Sequence, residues 1–198
     1  MKISNLKILS KLWLAFATVM LVILLNSLLS LREMSEMNRA GRDLGENWLP
    51  SVQALSQLET LVVEHRVREL AHIAAQTPAA IQEQDQKIAD QRHKIAETQN
   101  KYESLISSPE EKALYERFQR SWNSYIRATD KVVDLSRQSL KDEARALQLG
   151  ESLNLYYEAR KILSEDITLN NQGARQAAIT LDTSYHEARL TIFGALVT

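Results

Sequence analysis

No cysteine occurs anywhere in the chain. That excludes disulfide frameworks and every metal or redox site built on thiolates, and it suits an oxidising compartment. Proline and glycine are scarce, at three and five residues. A chain so poor in helix breakers, and rich in Ala, Leu, Glu, Gln, Arg and Lys, has the composition of long helices rather than of a sheet protein. No Gly-rich phosphate loop, H-E-x-x-H or nucleophile elbow is present. No catalytic constellation is visible, and the expectation is a protein that is not an enzyme and needs no cofactor. All 25 acids follow residue 31, and only Lys2, Lys7 and Lys11 precede it, so the later segment is net acidic. That argues against nucleic acid as a partner.

Charge is missing altogether from Leu12 to Leu31, which reads LWLAFATVMLVILLNSLLSL. These twenty residues form a helix of roughly 30 Å, the thickness of a bilayer's hydrocarbon core. A helix satisfies its own backbone, as lipid requires. The run is longer than a signal-peptide core and no A-x-A cleavage site follows it. Residues 1–11 are therefore expected in the cytoplasm, 12–31 in the membrane and 32–189 outside it, by the positive-inside rule. After Arg189 the chain reads LTIFGALVT. Nine residues are about half of a span, and 190–198 reads as the start of a second one, continued in a longer protein.

Between the two runs, sparse punctuation divides the chain into helices at about 32–76, 78–107, 109–138 and 141–189. Thr77-Pro78 is a capping residue followed by proline at the first helical position. Ser108-Pro109-Glu110-Glu111 is a capping box. Ser139 is expected to cap a helix with Asp142 in its first turn. Apolar residues recur at helical spacing in each segment: Val52, Leu55, Leu58, Val62; Ile81, Ile88, Ile95, Tyr102; Leu114, Phe118, Tyr125, Val132, Leu135; Leu149, Leu153, Tyr156, Leu163, Ile167, Ala174, Ala177, Leu181. The fold class is all-α, an antiparallel up-down-up-down four-helix bundle. Gln84, Gln91 and Gln99 thin the second stripe, so pairing with a second copy is expected to add stability. Pro50 either kinks the first helix or marks its restart.

Arg66 and Glu69 fall in the apolar sector of the first helix. A charge there must be paired or face a ligand or partner chain. Arginine suits a carboxylate, because its planar fork donates two parallel hydrogen bonds. Two readings stay open: a pocket for a small carboxylate, or an Arg66–Glu69 pair satisfied within its own helix. Arg68 points away from Arg66. At the same height come Tyr125 and Arg127 on the third helix and Asn154, Tyr156 and Tyr157 on the fourth. The tyrosines suit an organic anion, or are core residues with hydroxyls at the rim. Arg160 and Asn170 interrupt the fourth stripe and are expected to set register. Arg137 and Arg145 are expected to be solvated. His65 and His72 are two turns apart, too far to share a metal ion.

The lead, the span, Asn47-Trp48-Leu49-Pro50-Ser51-Val52 and Arg66-x-x-Glu69-x-x-His72 together resemble the N-terminal half of bacterial methyl-accepting chemotaxis proteins with a periplasmic four-helix-bundle sensor. Gly150-x-Ser152 and Asn170-Asn171 fit as well, and the resemblance covers residues 1 to 198. It implies an inner-membrane receptor and a homodimer through the first and fourth helices. It also implies a ligand pocket at the membrane-distal end, signalling by helix displacement, and a cytoplasmic adaptor and kinase as downstream partners. The same input module also precedes histidine kinases and cyclases, and a bundle that docks a partner protein is a third reading.

The topology makes the first prediction. A Ser107→Cys variant should react with a membrane-impermeant thiol reagent in intact cells whose outer membrane is permeable. Labelling only after lysis would overturn the assignment.

Overall fold

The computed structural model describes residues 7–197. Helix runs unbroken from Ile8 to Ala74. It comprises α1 (Ile8–Arg42), a π-helical stretch (Asp43–Trp48) and α2 (Leu49–Ala74). Then come α3 (Pro78–Glu103), α4 (Pro109–Arg137), α5 (Lys141–Leu147), a second π-helical stretch (Gln148–Ser152) and α6 (Leu153–Val197). No strand occurs among the described residues. Two compact units result: the described residues up to Gly45 with those from Arg175 on, and Glu46–Ala174.

In the first unit the apolar run of α1 is uncovered. Leu12, Trp13, Phe16, Leu24 and Leu28 are all exposed. Three of its four polar side chains, Thr18, Asn26 and Ser27, turn back on their own helix. Thr18 Oγ1 donates to Leu14 O (2.8 Å), Asn26 Nδ2 to Val22 O (3.0 Å) and Ser27 Oγ to Ile23 O (2.8 Å). Each of these bonds keeps a side-chain donor within the helix, as hydrocarbon favours. This is the one described helix long and apolar enough to cross a membrane. Gly41 packs against Leu181, whose Cδ1 would lie 3.4 Å from a Cβ at that position.

The second unit is the four-helix bundle, its fourth helix formed by α5, the π stretch and the first part of α6. The caps are where the residue types demand them. Thr77 accepts from the Ala80 N–H, and Ser108 and Glu111 close a capping box at α4. The core holds Leu55, Leu58, Val62, Ile95 and Leu163 around a column of aromatics. Tyr102, Tyr115, Phe118, Trp122, Tyr125 and Tyr156 follow one another with ring centroids 5.2 to 6.3 Å apart.

Three local expectations are corrected. Ser139 does not cap α5. It takes φ 63°, and the Leu140 N–H reaches Leu135 O (3.0 Å), closing α4 with a left-handed residue. A serine that ends one helix this way cannot begin the next, and Leu140 starts α5 with no side-chain cap. Leu149 is exposed while Gln148 and Ser152 are buried. The π stretch adds a residue to the turn and rotates the apolar phase of everything before it. Pro50 does not mark a restart of the helix. Leu49 and Pro50 are both helical, directly after the π stretch ending at Trp48, where i to i+5 bonding carries the chain past the missing N–H.

Gly173 is set by a close approach. A Cβ there would lie 2.4 Å from the Trp48 ring. Gly173→Ala should therefore destabilise the full chain by about 1–3 kcal/mol, the usual cost of overpacking. Denaturant melts in detergent measure it. The cost should shrink in a Trp48→Leu background, and an equal loss in both backgrounds would show that the ring is not the cause.

Candidate functional site

The buried polar residues of the bundle gather at separate heights. The central gathering is built on α2, whose apolar face carries Arg66 and Glu69 inward. Arg66 Nη1 donates to Glu69 Oε2 at 2.8 Å and to Ser152 Oγ at 2.9 Å. Its Nη2 donates to the Gln148 carbonyl at 2.7 Å. Tyr125 Oη donates to Glu69 Oε2 (2.9 Å) and Ser152 Oγ to Glu69 Oε1 (2.8 Å). The Arg66 guanidinium lies 5.6 Å from the centre of the Tyr156 ring. Glu69 and Ser152 have no exposed surface and Arg66 keeps 6%.

The chemistry of this cluster follows from burial. A carboxylate and a guanidinium removed from water are tolerable only as a pair with their remaining donors and acceptors matched, and here they are. The carboxylate at Arg66 is Glu69's own. Tyr125 is pushed up strongly from the ordinary tyrosine range, first by burial and then by the neighbouring Glu69 charge, so it stays a donor. His65 is held neutral, its pKa lowered to about 3 by burial and then by Arg92 and Arg66. Its Nε2 accepts from Arg92 Nε at 3.3 Å, which leaves the proton on Nδ1, 3.5 Å from the Tyr125 hydroxyl.

Of the eight residues that sequence singles out, four meet here: Arg66, Glu69, Tyr125 and Tyr156. The others stay outside the cluster. Arg127 is exposed and bonds Ser124 on its own helix (2.9 Å). Asn154 and Tyr157 are exposed and Arg68 is half-buried. Gln148 and Ser152 are the members that sequence reasoning missed, because the π stretch hides their phase. The Gly150-x-Ser152 spacing was the available signal.

Towards the α2–α3 turn, His72 Nδ1 lies 2.8 Å from Ser136 Oγ and Nε2 lies 3.1 Å from Asp85 Oδ1. Burial lowers the His72 pKa and outweighs the raising effect of Asp85. Ser136, His72 and Asp85 form a hydrogen-bonded file, but Ser136 has no exposed surface on which a substrate could be attacked. Beside this file a cavity of about 460 Å³ opens between α3 and α4, flanked by Arg92, Asp130, Asp134 and Arg137. Arg137 is exposed, as expected, and also forms ion pairs. It pairs with Asp85 at 2.7 Å and Asp134 at 2.8 Å.

Replacing Arg66 by alanine should cost about 3–5 kcal/mol, because it strands Glu69 as a buried unpaired charge. The double replacement Arg66→Met, Glu69→Leu should recover most of that loss. Thermal melts of the two variants decide it, and equal destabilisation in both would show that the pair is not what the bundle requires.

Comparison with known proteins fits this geometry. A family model described as a four helix bundle sensory module for signal transduction matches residues 5–185. A protein of Bacillus subtilis (strain 168) named as a sensory transducer, YvaQ, is 21% identical over 174 residues. Those residues are 88% of this chain and 31% of that protein, so the chain spans about a third of the relative it matches. With a model match over most of its length, and with the helices, caps and buried polar pair that such a bundle needs, the chain belongs to the four-helix-bundle sensory modules of chemoreceptor-type signal transduction.

Proposed function

We propose that the chain is the sensing and membrane-spanning portion of a methyl-accepting chemotaxis receptor. Residues 32–189, which include the bundle, lie on the periplasmic side of the inner membrane, and the bundle takes a small carboxylate such as an organic acid or amino acid. The observation that carries this reading is the Arg66 cluster. It holds an intramolecular carboxylate through Nη1 of a guanidinium whose Nη2 reaches the Gln148 carbonyl, so the same side chain grips a carboxylate and the π stretch of the fourth helix. π turns inside long helices recur at functional sites.

The mechanism is an exchange. A solute carboxylate takes Glu69's place at Arg66. Glu69 is also the acceptor for Tyr125 and Ser152, so its release frees both. The fourth helix then settles in a second position, by no more than the solute's differential affinity for the two states. α6 carries that displacement toward the second apolar run, and an adaptor and kinase beyond residue 198 read it. A homodimer fits the same picture. Val63, Val67 and Leu70 form an exposed apolar row on α2, and Leu149 and Tyr157 are exposed on the fourth helix. Burying such a row against a second copy contributes the stability that the thin α3 stripe lacks. A histidine kinase or cyclase as output leaves the input unchanged. The α3–α4 cavity supports a second solute position, with Arg92 and Arg137 as the guanidinium donors.

The test is a thermal-shift series on the full chain in nanodiscs with acetate, succinate, citrate, aspartate and glutamate. At least one should raise the melting temperature saturably. Arg66→Lys keeps the charge but loses the fork, and should weaken that solute by about tenfold or more, the scale of a charged hydrogen bond. Arg92→Gln and Arg137→Gln should leave it unchanged. No shift with any of the five rejects the carboxylate reading. A shift kept in Arg66→Lys and lost in Arg92→Gln moves the site to the α3–α4 cavity.

A further inference from the structure

The strongest unexplained feature of the bundle lies at the end where α3 turns into α4. Asp166 of α6 has no exposed surface, and neither has Asn170 one turn later. Asp166 Oδ1 accepts from Tyr102 Oη at 2.8 Å and from Asn170 Nδ2 at 3.1 Å. Asn170 Nδ2 also lies 3.2 Å from the Tyr102 hydroxyl. The far atoms, Asp166 Oδ2 and Asn170 Oδ1, find no partner among the described residues. A buried carboxylate with one oxygen unmatched is costly.

The surrounding charges make it costlier. From α4 comes Glu111, also fully buried, whose negative charge acts on Asp166 and on Tyr102. Glu111 Oε2 accepts from the Ser107 and Ser108 N–H groups and from both hydroxyls, at 2.9 to 3.0 Å. Glu111 Oε2 thus has four donors, whereas Asp166 Oδ1 has two and both residues leave their second oxygen without a partner among the described residues. Tyr115, also on α4, donates to Glu103 of α3 and not to Asp166. From α2, Ser51 is buried and uncharged. No cation acts on Asp166 among the described residues.

We propose that Asp166 is a proton-binding site, through which the bundle responds to the acidity of the medium. The local chemistry provides for both states. As a carboxylate, Asp166 accepts from the amide nitrogen of Asn170. As an acid it is a donor, and turning the Asn170 amide over puts Oδ1 where Nδ2 now stands, 3.1 Å away and able to accept, at the loss of the Nδ2 bond to the Asp166 carbonyl. The proton thus exchanges one hydrogen-bond polarity for the other at the contact between α6 and Tyr102 of α3. Burial, and then Glu111, raise the Asp166 pKa to about 7 against the opposing bonds from Tyr102 and Asn170.

The sign of the stability effect follows. Unfolded aspartic acid titrates near about 3.9. Between there and about 7 the folded chain holds a proton that the unfolded chain has lost. Stability from this group therefore falls as pH rises through that window and stays low above it. Infrared difference spectra of the full chain in nanodiscs, from about pH 4 to about pH 9 around that window, test the assignment. A protonated-carboxyl band should disappear with a midpoint near 7 and be absent from Asp166→Asn. Tyr102→Phe removes a donor to the carboxylate without adding charge. It should move the midpoint upward, and it keeps the test open if the asparagine variant fails to fold. A band that titrates at the ordinary carboxylate position, that persists in a folded Asp166→Asn protein, or whose midpoint is unmoved or lowered in Tyr102→Phe overturns the proposal. The spectra are taken without added carboxylate, so these outcomes do not depend on the solute reading of the Arg66 cluster.

Discussion

A guanidinium inside a narrow helical bundle must find its counter-charge within a few ångströms, because the bundle has too few layers to screen it. Arg66 meets that constraint through Glu69, one turn along the same helix. An i,i+3 pair on a solvated face contributes only a few tenths of a kcal/mol. Buried, the same pair cannot lose either member without stranding a charge. The pair also leaves donors and acceptors over, and these fix the neighbours. Tyr125 brings in α4, and Ser152 and the Gln148 carbonyl bring in the fourth helix. The π stretch at Gln148–Ser152 belongs to this arrangement, since its altered phase turns Gln148 and Ser152 inward and Leu149 out.

Periodicity and caps made the fold legible. Leu55, Leu58 and Val62 are buried as their spacing requires, and Thr77 and Ser108 cap because Thr-Pro and Ser-Pro-Glu-Glu leave few alternatives. Phase is what periodicity loses across a π turn, and Leu149 is where it went wrong. Ser139 misled for another reason: a residue type that suits an N-cap also tolerates the left-handed end of the preceding helix. The site was half legible. An arginine in an apolar sector advertises a partner, and Glu69 was within view. Height along the axis is a weaker guide than face, so Arg127 and Asn154 shared the level of the cluster without its direction. Asp166 had a usable signal, three residues after Leu163 and four before Asn170 on the same face.

The motifs that carry the family resemblance turn out to be internal contacts. Asn47 Nδ2 donates to the Leu105 carbonyl (2.6 Å), tying the start of α2 to the α3–α4 turn. Trp48 lies over Gly173. Glu69, His72 and Ser152 have no exposed surface. Residues of this kind hold the scaffold together. That is consistent with 21% identity to a transducer of the same broad class.

The fourth helix meets the rest of the bundle through two unlike kinds of layer. At Gln148–Ser152 and at Asp166–Asn170 it is held by directional hydrogen bonds. Between them Tyr156, Ala159, Ile162 and Leu163 are close-packed against α2 and the aromatic column. The two polar layers are 14 residues apart in sequence, Ser152 to Asp166, or roughly 21 Å at the helical rise. Close-packed apolar layers do not deform continuously. A shift begun at one polar layer is therefore passed through the apolar segment as a rigid displacement and must be accommodated at the other. On the two proposals above, an anion at the first and a proton at the second bias the same helix, and each then changes the affinity for the other by the same factor.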